Sequence, residues 1–396
     1  MGTERLYYTD SYLTRFEAEI VEVRPAGGRF YAYLDCTAFY PASGGQPFDV
    51  GRMGGAAVVD VVDEGDRIAH LVDVELRPGP VACEIDWVRR FDHMQQHTGQ
   101  HLLSAVFVEQ AGYSTVSFHL GPETSTIDLD APGLSAAPIE AVEARANALV
   151  FENRPVTARF FSPEEAASIG LRKPSEREGP IRVVQIEGCD RSACGGTHVR
   201  ATGEIGPILV RRLDRVRQTV RVEFVCGGRA VRRARDDYNA LARSAQLFSA
   251  PLDQVPTLVA AQIEAAKAAD KVQQKLQAEL AVFKGRELYQ ATSADARGRR
   301  VHQAVEPSGA IEPQRLLAQA FIAAGPGGVF LLALEQPPMF LLALSEDLNA
   351  NAGNIVKAVA ESLGGRGGGN ARLAQASLPS AAHAPQAFGA VLDRLG

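Results

Sequence analysis

The apolar and polar positions along the chain change period several times, and each change predicts a different element. Within residues 7–87 the apolar residues fall in short alternating or continuous runs at 18–23, 29–34, 51–62 and 68–74, and Pro25, Gly27 and Gly28 split the first two. Short strands punctuated by turn residues predict a small antiparallel barrel. The run Phe39-Tyr40-Pro41-Ala42-Ser43-Gly44-Gly45-Gln46-Pro47 is too rich in glycine and proline for a regular element and reads as a loop. Over residues 90–110 the period becomes helical, with Leu102, Leu103, Val106 and Phe107 on one face, and Gly112 closes the segment. Residues 117–129 alternate like strand, 139–152 form an amphipathic helix, and 156–161, 181–186, 208–212 and 220–225 read as strands. Helices and strands mix without a βαβ rhythm, so the class is α+β.

Two long helical stretches rich in Ala, Gln, Lys and Glu follow at 229–247 and 258–289, the second resembling a spacer or coiled-coil arm. A last unit has apolar strands at 329–334 and 339–344 around Gln336-Pro337-Pro338 and a helix at 354–363. Beyond it lie the glycine-rich run 364–370, which reads as a loop, and a tail at 377–388 rich in Ala, Ser and Pro. The expected division is a barrel-like domain at 1–88, an α+β domain at 89–228, a helical spacer at 229–290 and a glycine-rich α/β domain at 291–396.

Composition narrows the function classes. A chain of 396 residues, 46% hydrophobic and 22% charged, is globular and long enough to bury a core without disulfides. The net charge of -6 excludes a uniformly basic nucleic-acid coat but leaves room for a local basic patch. Five scattered cysteines do not make a disulfide framework. The N-terminus lacks a basic region followed by an apolar run, and no apolar stretch approaches the roughly 18 residues of a membrane span. A soluble, cytoplasmic protein with no membrane partner is expected.

His97 and His101 stand four apart in a predicted helix, which puts both rings on one face, one turn apart. That pair alone also arises by chance on helix surfaces. Cys194 and His198 form a second half-site around Gly195 and Gly196, whose freedom is expected to let the backbone turn sharply. Thiolate and imidazole together suit Zn2+, and in a reducing compartment such a cluster points to metal and away from a disulfide. Four protein ligands normally close a tetrahedral zinc, so spacing leaves both a structural and a catalytic role open.

The segments His97-Thr98-Gly99-Gln100-His101-Leu102-Leu103 and Cys194-Gly195-Gly196-Thr197-His198 resemble the paired signature of alanyl-tRNA synthetase editing domains, whose free-standing members are the AlaX-type trans-editing proteins. Gly44-Gly45-Gln46, Ile181-Arg182-Val183-Val184 and Gly203-Glu204-Ile205-Gly206-Pro207-Ile208 are similar to the same family. The resemblance covers roughly residues 7–228. The spacer and glycine-rich end resemble the long AlaX class, whose tail is a DHHA1-like domain; no Asp-His-His motif of the related phosphoesterases occurs.

The resemblance implies an aminoacyl-tRNA hydrolase of the carboxylic-ester type. It would remove serine, and sometimes glycine, from tRNA(Ala) at a zinc site formed by His97, His101, Cys194 and His198, with no use of ATP. Zinc would position the substrate first and activate water second. Ser117 stands where the family places a side-chain sensor, with Thr115 or His119 as alternates and an ordinary strand residue as the plain reading. Gln46 is a candidate for touching substrate or water, and Asp190 for orienting a ligand, unless it is a surface turn. Arg211, Arg212, Arg215, Arg217 and Arg221 form a basic stretch suited to the tRNA backbone, continued by Arg229, Arg232, Arg233 and Arg235, unless they are a solvated face. The run 364–370 is no P-loop and is a second candidate for backbone contact. The helical arm is a candidate for pairing two copies. The rival reading is a tRNA-binding or dimerising protein whose zinc is purely structural; a further one is a metal-dependent hydrolase of another ester or amide.

Overall fold

The computed structural model describes residues 2–131, 136–174 and 179–396. The chain forms two compact units, Met1–Ser244 and Ala245–Gly396.

The first unit begins with a closed six-stranded barrel. Its strands are β1 (Arg15–Ala26), β2 (Arg29–Leu34), β3 (Gly51–Met53), β4 (Ala56–Asp63), β5 (Ile68–Val72) and β6 (Gly79–Ile85). They close in the order β1-β2-β5-β4-β3-β6, every neighbour antiparallel. The alternation that predicts the barrel is literal in β1: Phe16, Ala18 and Ile20 are buried while Arg15, Glu17 and Glu19 face solvent. The inward set packs with Leu34, Val58, Ile68, Val72 and Ile85. Each such side chain contributes about 1.5–3 kcal/mol when fully buried.

The loop between β2 and β3 leaves the barrel. Gly44 and Gly45 adopt φ of 56° and 85°, left-handed values that glycine takes without strain, and the turn closes with Ser43 pairing to Gln46. A Cβ on Gly45 would stand 2.8 Å from the Phe118 carbonyl oxygen, so the loop lies directly on the next domain's first strand.

Helix α1 (Trp87–Ala111) follows. Asp86 caps it by accepting from the Arg89 amide, and Gly112 ends it in the left-handed region at φ 69°. Most of its length is buried on all sides, including His93, Gln96, His97, Thr98, Gln100 and His101. Its apolar face joins a core with helix α2 (Ala136–Phe151) and two sheets. One sheet has the order β12-β13-β8-β7, from β7 (Thr115–Leu120), β8 (Ser125–Leu129), β12 (Ile208–Val216) and β13 (Thr219–Cys226). The other is β9 (Val156–Phe161), β10 (Ile181–Ile186) and β11 (Asp190–Ala193) in sequence order. The single alternating stretch at 117–129 is thus a hairpin broken at residues 121–124. Helix α3 (Pro163–Ser168) links β9 to β10.

Arg90 is fully buried at the N-terminal part of α1. It pairs with Asp49, which is equally buried, and donates to the carbonyls of Ser11 at 2.8 Å and Ala38 at 2.5 Å. Asp49 also accepts from the Tyr40 amide at 2.6 Å, so this pair ties the Gln46 loop to α1. Helix α4 (Gly227–Phe248) continues from β13.

The second unit contains α5 (Val255–Ala291) and a five-stranded sheet of order β14-β15-β16-β18-β17. Its strands are β14 (Arg300–Glu306), β15 (Gly328–Leu334), β16 (Met339–Leu344), β17 (Arg366–Gly369) and β18 (Leu373–Ser377). Helices α7 (Ala352–Ser362) and α8 (Ala384–Leu395) cover Val329, Leu331 and Ala333, while α6 (Ile311–Ala323) covers Phe330 and Leu332. Both faces of β15 are therefore buried, which is why it reads as an unbroken apolar run. The glycine-rich run is an edge strand where a loop is the sequence expectation: a Cβ on Gly367 would meet Ala376 Cβ at 2.2 Å. Part of the tail at 377–388 belongs to α8. No helix among the described residues is long and apolar enough to cross a membrane.

Candidate metal centre and cleft

Helix α1 presents His97 and His101, and the segment after β11 presents Cys194 and His198. One ligand atom from each of the four lies within 4.8 Å of every other. The Sγ of Cys194 is 3.4 Å from His97 Nε2 and 3.3 Å from His198 Nε2. Tetrahedral zinc with bonds of roughly 2.0 Å to nitrogen and 2.3 Å to sulfur would hold those atoms about 3.5 Å apart, so the donor set fits that ion.

The orientation of the rings fits as well. His97 Nδ1 donates to Gln46 Oε1 at 2.8 Å, and His101 Nδ1 donates to Asp190 Oδ2 at 3.0 Å. Those oxygens accept only, so each ring carries a proton on Nδ1 and turns its Nε2 toward the centre, the atom through which it would bind a metal. His198 Nδ1 lies 3.1 Å from Thr98 Oγ1, which repeats the pattern. Burial alone would raise the Cys194 thiol, but the imidazoles of His97 and His198 and a hydrogen bond from His101 bring it well below its ordinary value. Burial drives His198 down to about 3. Burial opposes charge on His101 too, yet Asp190 and Cys194 outweigh it and lift that ring to about 9. Thiolate and imidazole nitrogen together are the donors of a soft-divalent site, and a metal there would displace the proton that His101 otherwise carries toward Cys194.

Each sequence candidate has a definite place. Gln46, buried, spends its amide inside the protein: Oε1 also accepts from the Thr197 amide at 3.1 Å, and Nε2 donates to Thr197 Oγ1 at 2.8 Å. Asp190 is buried beside the centre, and not on a surface turn. It accepts from His101, from Arg172 Nε at 2.8 Å and from Ser192 Oγ at 2.9 Å. Burial opposes its charge, but His101 and Arg172 hold it down to about 2. Ser117 is exposed on β7 and donates to Asp128 at 2.7 Å; Asp128 in turn pairs with Arg221.

Gly195 and Gly196 do not take positive φ, so a sharp left-handed turn is not their use. Gly196 is instead a matter of space: a Cβ there would stand 2.2 Å from His97 Cε1.

A cleft of about 620 Å³ opens over the centre. His97, His101 and Cys194 line one part of it, Thr115 and Ser117 another. Tyr8, Tyr40, Arg5 and Lys173 line the remainder, and His119 is not among the lining residues. Thr115 Oγ1 donates to Ser104 Oγ at 2.7 Å, and Ser104 also accepts from Gln100.

The arginines are only partly free. Arg211 pairs with Asp237 and Arg212 with Asp214. Arg215 is exposed on β12, and Arg217 sits in the β12–β13 turn at φ 56°. Sequence reasoning missed three residues that hold the centre. Thr98 lies between the two histidines of the motif, which is a signal of sorts. Arg172 gives none. Arg182, buried, donates to the carbonyls of Cys194 and Gly196, both at 2.9 Å; it stands in the family-like segment Ile181-Arg182-Val183-Val184, where a charge inside an apolar strand is the signal of its role.

The family described as the threonyl and alanyl tRNA synthetase second additional domain matches residues 181–223. The chain is 35% identical over 247 residues to alanyl-tRNA editing protein Aarsd1-B of Xenopus laevis, covering 58% of this chain and 60% of that protein. It thus spans about three-fifths of that relative's length. It is 29% identical over 406 residues to alanyl-tRNA editing protein AlaX-L of Pyrococcus horikoshii, covering 99% and 98%. It is 30% identical over 411 residues to the alanine–tRNA ligase of Pyrococcus abyssi, covering 99% of this chain and 44% of that one. The C-Ala domain from Aquifex aeolicus alanyl-tRNA synthetase matches 24% of the chain at 25% identity and a TM-score of 0.23, covering 88% of that domain. With the paired half-motifs brought together and a relative aligned from end to end, the chain belongs to the AlaX-type family of alanyl-tRNA editing proteins.

Proposed function

We propose that this protein is a cytoplasmic trans-editing hydrolase that cleaves the ester joining serine, and sometimes glycine, to tRNA(Ala). The observation that carries the proposal is the cleft itself: the imidazoles of His97 and His101 and the Cys194 thiolate line it beside the hydroxyls of Thr115 and Ser117, with His198 completing the cluster behind them. His97, His101, Cys194 and His198 would hold Zn2+, which when bound supplies a Lewis acid for positioning the ester and, secondarily, for water.

The chain's own residues do the rest. Gln46 and Asp190 orient His97 and His101 and are positioning residues, with Thr98 doing the same for His198. Ser117 donates its proton to Asp128, so its oxygen is left to accept from a substrate serine hydroxyl. An alanyl ester offers no such donor, and a site built for a hydroxyl discriminates against the analogue that lacks it; this accounts for serine over alanine and does not extend to glycine, which has no hydroxyl either. Lys173 at the cleft is a cation suited to the terminal phosphates, whereas Arg5 is paired with Asp63. Arg211, Arg212, Arg215, Arg217 and Arg221 would meet the acceptor end further out. The second unit is assigned as a DHHA1-like domain, and its helical arm as the surface that pairs two copies.

Four protein donors are also what a structural zinc would use, in a protein that only binds tRNA. The names of the relatives, editing proteins, weigh against that reading. The deciding experiment is deacylation of tRNA(Ala) charged with serine, glycine or alanine by the zinc-loaded protein and its Cys194→Ala variant. Hydrolysis of the seryl ester, sparing of the alanyl ester and an inactive variant are expected. Three untouched esters would leave the binding reading standing.

A further inference from the structure

A second recessed region lies at the turn of the β7–β8 hairpin and shares no lining residue with the metal cleft. It consists of two hollows, of about 720 Å³ and 560 Å³, joined through Pro122, Arg229 and Arg232, which line both. The larger is basic. Arg211, Arg212, Arg232 and Arg233 face it against Glu123, Glu223 and Asp236. Arg232 and Arg233 are exposed, Arg233 pairing with Asp237 one turn along its helix at 3.2 Å, whereas Arg229 is buried and fixed by Asp92 and by the Gly121 carbonyl at 2.8 Å.

The smaller hollow is aromatic. Trp87 stacks on Phe91 with ring centroids 5.1 Å apart and planes at 29°, and Trp87 remains 37% exposed. His93 lines the same hollow and is 3% exposed, yet among the described residues its Nδ1 has no hydrogen-bond partner. An unpaired buried polar atom is costly, so a site that keeps one is poised to satisfy it with something from outside. Guanidinium groups in a row suit phosphates, a partly open indole suits a flat base, and a buried lone imidazole nitrogen suits a hydrogen bond to that base.

We propose that the double hollow is an RNA groove: backbone phosphates lie along Arg212, Arg232 and Arg233, and one unpaired nucleobase stacks on Trp87 beside His93. The proposal rests on the editing reading only for the identity of the RNA, a tRNA. The partner is an RNA and not an acidic protein segment, because an acidic peptide would use the arginines and leave the indole and His93 unexplained.

Trp87 is the single tryptophan of the chain, so its fluorescence reports this hollow alone. The full-length protein is titrated with uncharged tRNA(Ala) transcript while Trp87 emission and RNA anisotropy are followed. Saturable quenching is expected. Trp87→Ala should weaken binding about tenfold, the usual scale for one lost base stack, with Trp87→Phe intermediate. The exposed Arg232→Ala should lower the slope of log affinity against log salt by about one. Binding without quenching, variants that bind like the wild type, or no binding at all would each overturn the proposal, as would equal quenching by inorganic polyphosphate. Quenching by tRNA in a protein that deacylates nothing would sink the editing reading alone. Deacylation with a silent Trp87 would sink the groove alone.

Discussion

Replacing Gly196 by alanine tests whether backbone contact is what holds the His97 ring. The added Cβ would stand 2.2 Å from His97 Cε1, 2.4 Å from its Nδ1 and 2.9 Å from Gln46 Oε1. Optimal separations between carbon atoms are about 3.5–4.0 Å, so the overlap with the ring exceeds roughly 1 Å. The ring has little freedom to yield, since it stacks on Phe118 with centroids 5.4 Å apart and is tied to Gln46 through Nδ1. The backbone cannot retreat either, because Arg182 holds the Gly196 carbonyl at 2.9 Å. Overpacking of this kind costs about 1–3 kcal/mol, and the lost His97–Gln46 hydrogen bond adds about 1 kcal/mol, for an expected total of about 2–4 kcal/mol. A displaced ring also aims its Nε2 wrongly, and loss of an orienting partner typically weakens a metal site about 10–100-fold. Urea unfolding of the metal-free protein and competition for zinc with a chromogenic chelator read the two effects. Gly195→Ala is the control, since its Cβ would meet only Tyr8, at 3.6 Å. If the two variants behave alike, the close-approach argument is wrong.

Three further outcomes follow from buried polar groups. Arg90→Met leaves the Asp49 carboxylate buried without its partner and should cost about 3–5 kcal/mol in urea unfolding; an unchanged midpoint would contradict the pair's role. Asp190→Asn keeps the shape but loses the carboxylate on His101, so zinc affinity should fall about 10–100-fold while the fold persists. His70 is fully buried between Thr37 and the Ala32 carbonyl, and burial lowers its pKa to about 4. Between its unfolded value of about 6.5 and that folded value, the unfolded chain binds a proton the folded chain does not. Stability should therefore fall as pH drops below about 6.5, by about 2 kcal/mol at pH 5 from this residue. His70→Gln should shrink the difference between pH 7 and pH 5 by that amount, and an undiminished difference would refute the assignment.

The parts of the fold that depend on local period are readable from the chain alone. Alternation in residues such as Phe16, Ala18 and Ile20 is enough to give a strand one buried face, and the barrel follows from several such strands. The four-residue spacing of His97 and His101 places both rings on one face of α1, whatever that face meets. Cys194 and His198 are equally close along the chain, so both half-sites were legible as soon as their elements were. Only the tertiary structure decided what meets those half-sites. Gln46 reaches His97 and Thr197 because a barrel loop crosses onto β7, and nothing near Gln46 in the chain encodes that. Arg90 and Asp49 read as ordinary surface charges until packing buries both. The use of Gly196 was misjudged for the same reason, since its neighbours in sequence demand no special turn and the ring that excludes a Cβ comes from α1. The glycine run forms strand at Arg366–Gly369 because Ala376 lies against it, not because glycine favours strand. Periodicity is written in each segment by the need to bury one face, whereas close approach and polar partnership belong to pairs of segments and exist only once the chain has packed.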